Sequence, residues 1–185
     1  MTTIVGISGS LRRKSFNSAL LRAAAELMPE GVTLEIASIG EFPLYNADVE
    51  TSEGIPRAVA QVKERIAASA GLLLATPEYN NAMPGVLKNA IDWLSRPPAD
   101  VPRVFGDRPV AVMGASPGGF GTILSQNAWL SVVRTLRMRP FFGARLMVSR
   151  ADKMFDDAGV LVDEDVRKQL RTFVGGFAEF IARPG

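Results

Sequence analysis

Two spacings of apolar residues take turns along this chain. Short apolar runs without helical spacing occupy residues 3–7, 32–37, 71–76, 109–114 and, less sharply, 141–148. Runs of this length and type predict strands buried on both faces. Between them the apolar residues recur three and four apart, as on one face of a helix. Leu20, Leu21, Ala24 and Met28 form one stripe, Val59, Val62 and Ile66 a second, and Val86, Leu87, Ala90, Ile91 and Leu94 a third. The clearest stripe comes last: Val166, Leu170, Phe173, Val174, Phe177 and Ile181. Strands that alternate with helices through short connections predict a parallel sheet with helices on both faces. The expected class is α/β, a doubly wound three-layer sandwich on five parallel strands.

Length supports one domain over residues 1–185, since 185 residues with 47% apolar side chains can bury a proper core. No repeat, low-complexity tract or linker interrupts it; Pro97, Pro98 and Pro102 punctuate a single loop. The net charge of +2 predicts no broad field for nucleic acid or for an anionic membrane, although Arg12, Arg13 and Lys14 form a local basic cluster. The first residues, MTTIVGISGS, lack the basic region and apolar core of a signal peptide, and no apolar run reaches the roughly 20 residues of a membrane span. A soluble cytoplasmic protein is the expectation.

Histidine and cysteine are both absent. Thiol nucleophiles, serine–histidine triads and the usual zinc, copper and haem sites each lose a residue type they need. If the chain is an enzyme, a bound organic cofactor must carry the chemistry.

In open sheets of this class, ligands bind beyond the carboxyl ends of the strands. Three loops there are rich in glycine, serine, asparagine or proline: residues 8–16, 77–83 and 115–121. The first belongs to the stretch GISGSLRRKSFNSALL. It lacks the second glycine of a G-x-x-x-x-G-K-[ST] loop and the G-x-G-x-x-G spacing of a dinucleotide fingerprint. It does offer the hydroxyls of Ser8, Ser10 and Ser15, the Arg12 guanidinium, the Asn17 amide and the N–H groups of a helix start. That set suits one compact, doubly charged phosphate on the helix dipole. Equally, Ser15 or Asn17 serves only to cap the helix.

Three motifs taken together, GSLRRKSFN, PEYNNAMPGVLKNAIDW and GASPGGFGT, resemble the NADPH-dependent FMN reductase family, the flavodoxin-like quinone and chromate reductases. The resemblance spans nearly the whole chain. It implies a flavodoxin-like fold, FMN as cofactor and NADPH or NADH as cosubstrate. It also implies a ping-pong hydride mechanism at flavin N5 that passes two electrons to a small-molecule acceptor: a quinone, free flavin, an azo compound or a metal oxyanion such as chromate. Homodimers or homotetramers are implied as well.

By position, the resemblance assigns the FMN phosphate to Ser10, Arg12, Ser15, Phe16 and Asn17. The flavin edge falls to Pro77, Glu78, Tyr79 and Asn80, with Ser116, Gly118 and Gly119 from the third loop. Two departures stand out: Ala82 occupies a position where serine is common, and Leu124-Ser125 a segment that often carries an arginine followed by alanine. Another class of function with the same cofactor is a flavodoxin-like electron carrier that does not oxidise NAD(P)H. Such carriers are usually strongly acidic, and this chain is not. A third reading is a flavin-free nucleotide-binding module.

Blander readings apply elsewhere. Glu78 and Tyr79 can act as a turn cap and a packed aromatic, and Lys88 and Asp92, four apart, as an exposed ion pair. Trp93 belongs to the core or an interface. Residues 123–136 leave almost no polar side, which predicts a helix buried all round and, in so small a domain, a subunit contact. Arg134, Arg137 and Arg139 at its end compensate the helix dipole or grip a nucleotide 2′-phosphate. Asp156-Asp157-Ala158-Gly159 reads as a turn, Asp163, Glu164 and Asp165 as a capped helix start, and no metal site is expected.

Overall fold

A computed structural model describes residues 1–183. Its sheet is built on β1 (Thr2–Ser8), β2 (Val32–Ala37), β3 (Gly71–Ala75) and β4 (Pro109–Ala115), all parallel, in the order β2-β1-β3-β4. On the outer edge of β4 lie two short pieces, β5 (Arg139–Pro140) and β6 (Met147–Val148). The order β2-β1-β3-β4-β5 is that of the flavodoxin-like folds.

The fifth strand expected over residues 141–148 is therefore broken, with only its last two residues in the sheet. β5 pairs with the start of β4 (Pro109 with Arg139) and β6 with its end (Gly114 with Met147). Between them the chain leaves the sheet. Phe141 turns toward the last helix, its ring 5.7 Å from those of Phe173 and Phe177, while Phe142 is exposed. Burying one aromatic ring among three others outweighs two or three more ladder bonds at an edge.

Helices cover both faces. α1 (Phe16–Glu26) and α8 (Glu164–Ala182) lie on one; α3 (Arg57–Ala68), α4 (Gly85–Leu94) and α6 (Ile123–Thr135) lie on the other. Shorter helices complete the set: α2 (Ala47–Glu53), α5 (Val101–Val104) and α7 (Ala151–Met154). The period-two alternation of strands divides the core. Ile4 and Leu73 meet Leu20, Leu21 and Phe177 on one side, while Val5, Leu72 and Leu74 meet Ile66, Ile91 and Trp93 on the other. Full burial of each such side chain stabilises by about 1.5–3 kcal/mol.

Trp93 is core: it is fully buried, and its indole N–H donates to Pro43 O at 2.9 Å. α6 departs from the expectation of burial on all sides. It buries Ser125, Gln126, Trp129 and Val133 and leaves Leu124 and Leu130 exposed. The inward face tolerates its polar groups because each is bonded. Gln126 Nε2 donates to Leu146 O at 2.9 Å, and Ser125 Oγ lies 2.7 Å from Thr76 Oγ1.

The turn at Asp156–Gly159 forms, with Gly159 N–H on Asp156 O at 2.9 Å. Asp163 caps α8 by accepting from Val166 N–H at 2.8 Å. Lys88 and Asp92 pair at 2.7 Å.

Candidate active site

The strand order places the site. From β1 the chain turns to β2 on one side, and β3 lies on the other, so the loops that follow β1 and β3 part at the β1/β3 crevice. Gly9 stands where they touch. A Cβ there would come within 2.9 Å of Pro77 Cδ and Pro84 Cγ, so only glycine lets the two loops close. Gly114, at the end of β4, is held as tightly: a Cβ would meet Thr122 Oγ1 and Thr76 O at 2.2 Å.

A cavity of about 320 Å³ opens at this crevice. The first loop contributes Ser10, Arg12, Ser15, Phe16 and Asn17 to its wall, the second Pro77, Glu78 and Tyr79, and the third Ser116. Ala115 and Pro117, which the sequence reading did not single out, complete it. Asn80, Gly118 and Gly119 are not part of the wall. Asn80 sits with Asn81 at the tip of a two-residue hairpin, both at positive φ (50° and 60°), where Tyr79 and Ala82 exchange backbone hydrogen bonds. Asparagine accepts that conformation more readily than most residues. Gly118 and Gly119 are exposed, and no protein atom lies within 4 Å of a Cβ built on Gly119.

Among the wall residues two kinds of polar group can be separated. Some are already used. Asn17 Nδ2 donates to Ala115 O and its Oδ1 accepts from Ala115 N–H, both at 2.9 Å, so this side chain staples the start of α1 to the end of β4. Glu78 accepts from the N–H groups of Leu124 and Ser125 at 2.8 and 3.0 Å, capping α6 from a neighbouring loop. That bond fixes the second loop, and a buried relay of Trp129 Nε1, Thr76 Oγ1 and Ser125 Oγ supports it from behind. Thr76 closes an apolar run, and Ser125 and Gln126 are the polar residues buried in α6, which reads as apolar on nearly every side. That mismatch was the signal in the sequence that could have marked them.

Other groups are free. Ser15 caps α1 through Ser18 N–H at 3.3 Å, but no hydrogen bond among the described residues uses the N–H of Phe16 or Asn17. Arg12 lies over the Phe16 ring at 5.1 Å and forms no ion pair among the described residues. Tyr79 is half exposed, its hydroxyl 3.5 Å from Ser10 Oγ. Unused donors at the first turn of an 11-residue helix, with two hydroxyls and a guanidinium beside them, make a donor set of the kind that suits a dianionic phosphate. Pro77, Glu78 and Tyr79 form the wall next to it. The donor set therefore fits FMN.

Arg134, Arg137 and Arg139 lie at the other end of the sheet. Arg139 pairs with Pro109, at the start of β4, whereas the cavity borders Ala115, at its end. A strand of seven residues at about 3.3 Å each separates the two by about 20 Å. Arg139 instead stacks over Phe180 at 4.7 Å. Among the described residues no group of three His, Cys, Asp or Glu side chains is arranged to hold a metal, and no helix is long and apolar enough to cross a membrane.

A parallel sheet in flavodoxin-like order, with donors suited to a phosphate beside the β1/β3 crevice, places the chain in the class of flavodoxin-like folds. Within that class this chain belongs to the NADPH-dependent FMN reductase family, whose model matches residues 2–153. It is 45% identical over 168 residues to an NAD(P)H-dependent FMN reductase of Pseudomonas aeruginosa, covering 91% of this chain and 89% of that one. It is 38% identical over 178 residues to a 2-hydroxy-1,4-benzoquinone reductase of Burkholderia, covering 96% and 95%. The solved structure of a flavoenzyme NAD(P)H:(acceptor) oxidoreductase from Paracoccus denitrificans superposes with a TM-score of 0.87 at 31% identity, covering 98% of both chains.

Proposed function

We propose that the protein is an FMN-dependent NAD(P)H oxidoreductase that reduces quinones, with free flavin, azo compounds and metal oxyanions such as chromate as further acceptors. One observation carries the reading: Phe16 and Asn17, whose N–H groups are unused, line the same cavity as Ser10, Arg12 and the Pro77–Tyr79 wall. FMN, when bound, supplies the chemistry by taking a hydride from the reduced nicotinamide and handing two electrons to the acceptor.

The chain's own part is placement. Ser10, Arg12, Ser15 and the α1 N–H groups hold the phosphate, and Phe16 contributes through its backbone. Pro77, Glu78 and Tyr79 border the ring edge, with Ser116 from the third loop, while Asn80, Gly118 and Gly119 belong to the same two loops but stand outside the cavity wall. Asn17 and Glu78 act chiefly by fixing these loops, since their side-chain groups are bonded to Ala115 and to α6. No side chain of the cavity is needed as a nucleophile.

A single open face serves donor and acceptor in turn, so the kinetics are ping-pong. This reading also takes the enzyme to be cytoplasmic, where reduced pyridine nucleotide is supplied, and to form homodimers or homotetramers. The exposed Leu124 and Leu130 on α6 support the assembly, because a second copy would remove them from water.

Anaerobic titration of the FMN-loaded protein with NADPH tests the function. Stoichiometric loss of the oxidised flavin band, together with parallel initial-rate lines when donor and quinone are both varied, is the expected result. A persistent yellow colour would instead identify a flavodoxin-like electron carrier.

A further inference from the structure

A second cavity, of about 260 Å³, lies on the far side of the phosphate cradle, between α1 and residues 151–161. It shares Arg12, Ser15 and Phe16 with the first, so the two adjoin. A pyridine dinucleotide whose nicotinamide meets the flavin ring must set its adenosine end down outside the flavin slot.

The walls of this second cavity are chemically divided. Arg12, Arg13, Lys14 and Arg22 form one side, and none of the four has a carboxylate within 4.0 Å among the described residues. The rings of Phe16 and Phe155, their centroids 5.8 Å apart, provide an aromatic surface. Asp152, Asp156 and Asp157 stand opposite; Asp156 is engaged by Val160 N–H at 2.8 Å. Cations that could have closed onto these carboxylates instead remain apart from them. Cationic groups suit a phosphate, aromatic faces suit a base, and carboxylates suit ribose hydroxyls.

The larger cavities do not compete. One of about 750 Å³ beside α3 includes Glu41 and Glu64 and shares no residue with the flavin slot. Another, of about 700 Å³, is bordered by Pro98, Asp107 and Arg137 at the opposite end of the sheet.

We propose that the cavity between α1 and residues 151–161 is the subsite for the 2′-phosphorylated adenosine end of NADPH, and that Arg13, Lys14 and Arg22 set a preference for NADPH over NADH. The proposal rests on the oxidoreductase reading above. It gives the Arg-Arg-Lys run a task that one FMN phosphate does not exhaust, and it replaces the arginines at the end of α6, which lie too far away.

The test is calorimetric titration of the FMN-loaded protein with adenosine 2′,5′-bisphosphate and with adenosine 5′-monophosphate. It compares the natural chain with a variant carrying Arg13→Gln and Arg22→Gln. Both side chains are exposed, so the fold should persist, and retention of the flavin absorbance checks it. Each charge-assisted contact is worth about tenfold in affinity. The bisphosphate is expected to bind the natural chain at least about tenfold more tightly than the monophosphate, and the variant to lose most of that advantage. In steady state, the NADPH-to-NADH ratio of kcat/KM should fall by about tenfold or more in the variant. Equal binding of the two probes to the natural chain, or an advantage that survives in the variant, would overturn the subsite while leaving NAD(P)H oxidation intact. Oxidation of neither nucleotide would overturn the oxidoreductase reading, and the subsite with it.

Discussion

The loop between β1 and α1 and the connection between α4 and β4 carry the same kind of charge and treat it in opposite ways. In the connection, residues 95–108, each cation is engaged. Arg96 Nε donates to Glu50 at 2.8 Å and lies over the Tyr45 ring, and Arg103 makes a two-pronged pair with Glu64 at 2.7 and 2.8 Å. Arg108 donates to the carbonyls of Val104, Ser69, Ala67 and Arg103, and the buried Lys63 reaches into the same connection to pair with Asp100 at 2.7 Å. In the β1–α1 loop, the side chains of Arg12, Arg13 and Lys14 have no hydrogen-bonded or ionic partner among the described residues, and Arg12 only lies over the Phe16 ring. A cation satisfied within the protein ties chain to chain. One left unsatisfied, at a helix start and beside a cavity, is available to an anion.

The sharpest way to break this comparison is to remove a satisfied cation. Arg108→Ala should cost about 2–3 kcal/mol, because several carbonyls at the ends of α3 and α5 lose a charged donor. A denaturant midpoint measures it. FMN affinity of the folded fraction should stay unchanged.

A pair of substitutions within the first loop sharpens it. Asn17→Ala removes two buried hydrogen bonds to Ala115 and should destabilise by about 1–2 kcal/mol as well as loosening FMN. Arg12→Ala should weaken FMN about tenfold while shifting stability by no more than about 0.5 kcal/mol. Fluorescence titration with FMN, beside thermal melts of both variants, separates the two behaviours.

Acid has the smallest effect. Hydrogen bonds from Lys63 and Arg96 hold the Asp100 and Glu50 carboxyls below their ordinary values. A carboxyl depressed in the folded state contributes stability above its unfolded pKa and loses it as pH falls through its folded pKa. Stability should therefore be level near neutrality and decline below about pH 4. Amide exchange in residues 95–108 should rise there before exchange in β1 and β3 does. Exchange that rises first in the β1–α1 loop would contradict the assignment of the paired charges to the connection.

What could be read from the chain, and what could not, follows the range of the forces involved. Strands β1 to β4 were visible because burial on both faces demands uninterrupted apolar runs. Helices α1, α3, α4 and α8 were visible because burial on one face demands a period of 3.6. The fifth strand reads as one run across residues 141–148 but forms two short pieces, because Phe141 and Leu146 are apolar for two different reasons: one packs on α8, while the other is buried in the core beside β4. The short helices α2, α5 and α7 escaped notice because so few turns carry no periodic signature.

The same division runs through the site. Its composition was set in the primary structure. The hydroxyls, the basic run and the helix start make a set that suits a phosphate, and the absence of histidine and cysteine points to a borrowed cofactor. Local chemistry of this kind needs no knowledge of distant residues. Only the folded chain could decide which polar groups remain free, because that depends on partners far along the sequence. Asn17 is spent on Ala115, 98 residues away, and Glu78 on Ser125, 47 residues away, while Arg12 has no ionic partner among the described residues. Hydrogen bonds and ion pairs are short-ranged and saturable. Whether a side chain serves the scaffold or the ligand is therefore settled by what the fold brings within about 3 Å of it.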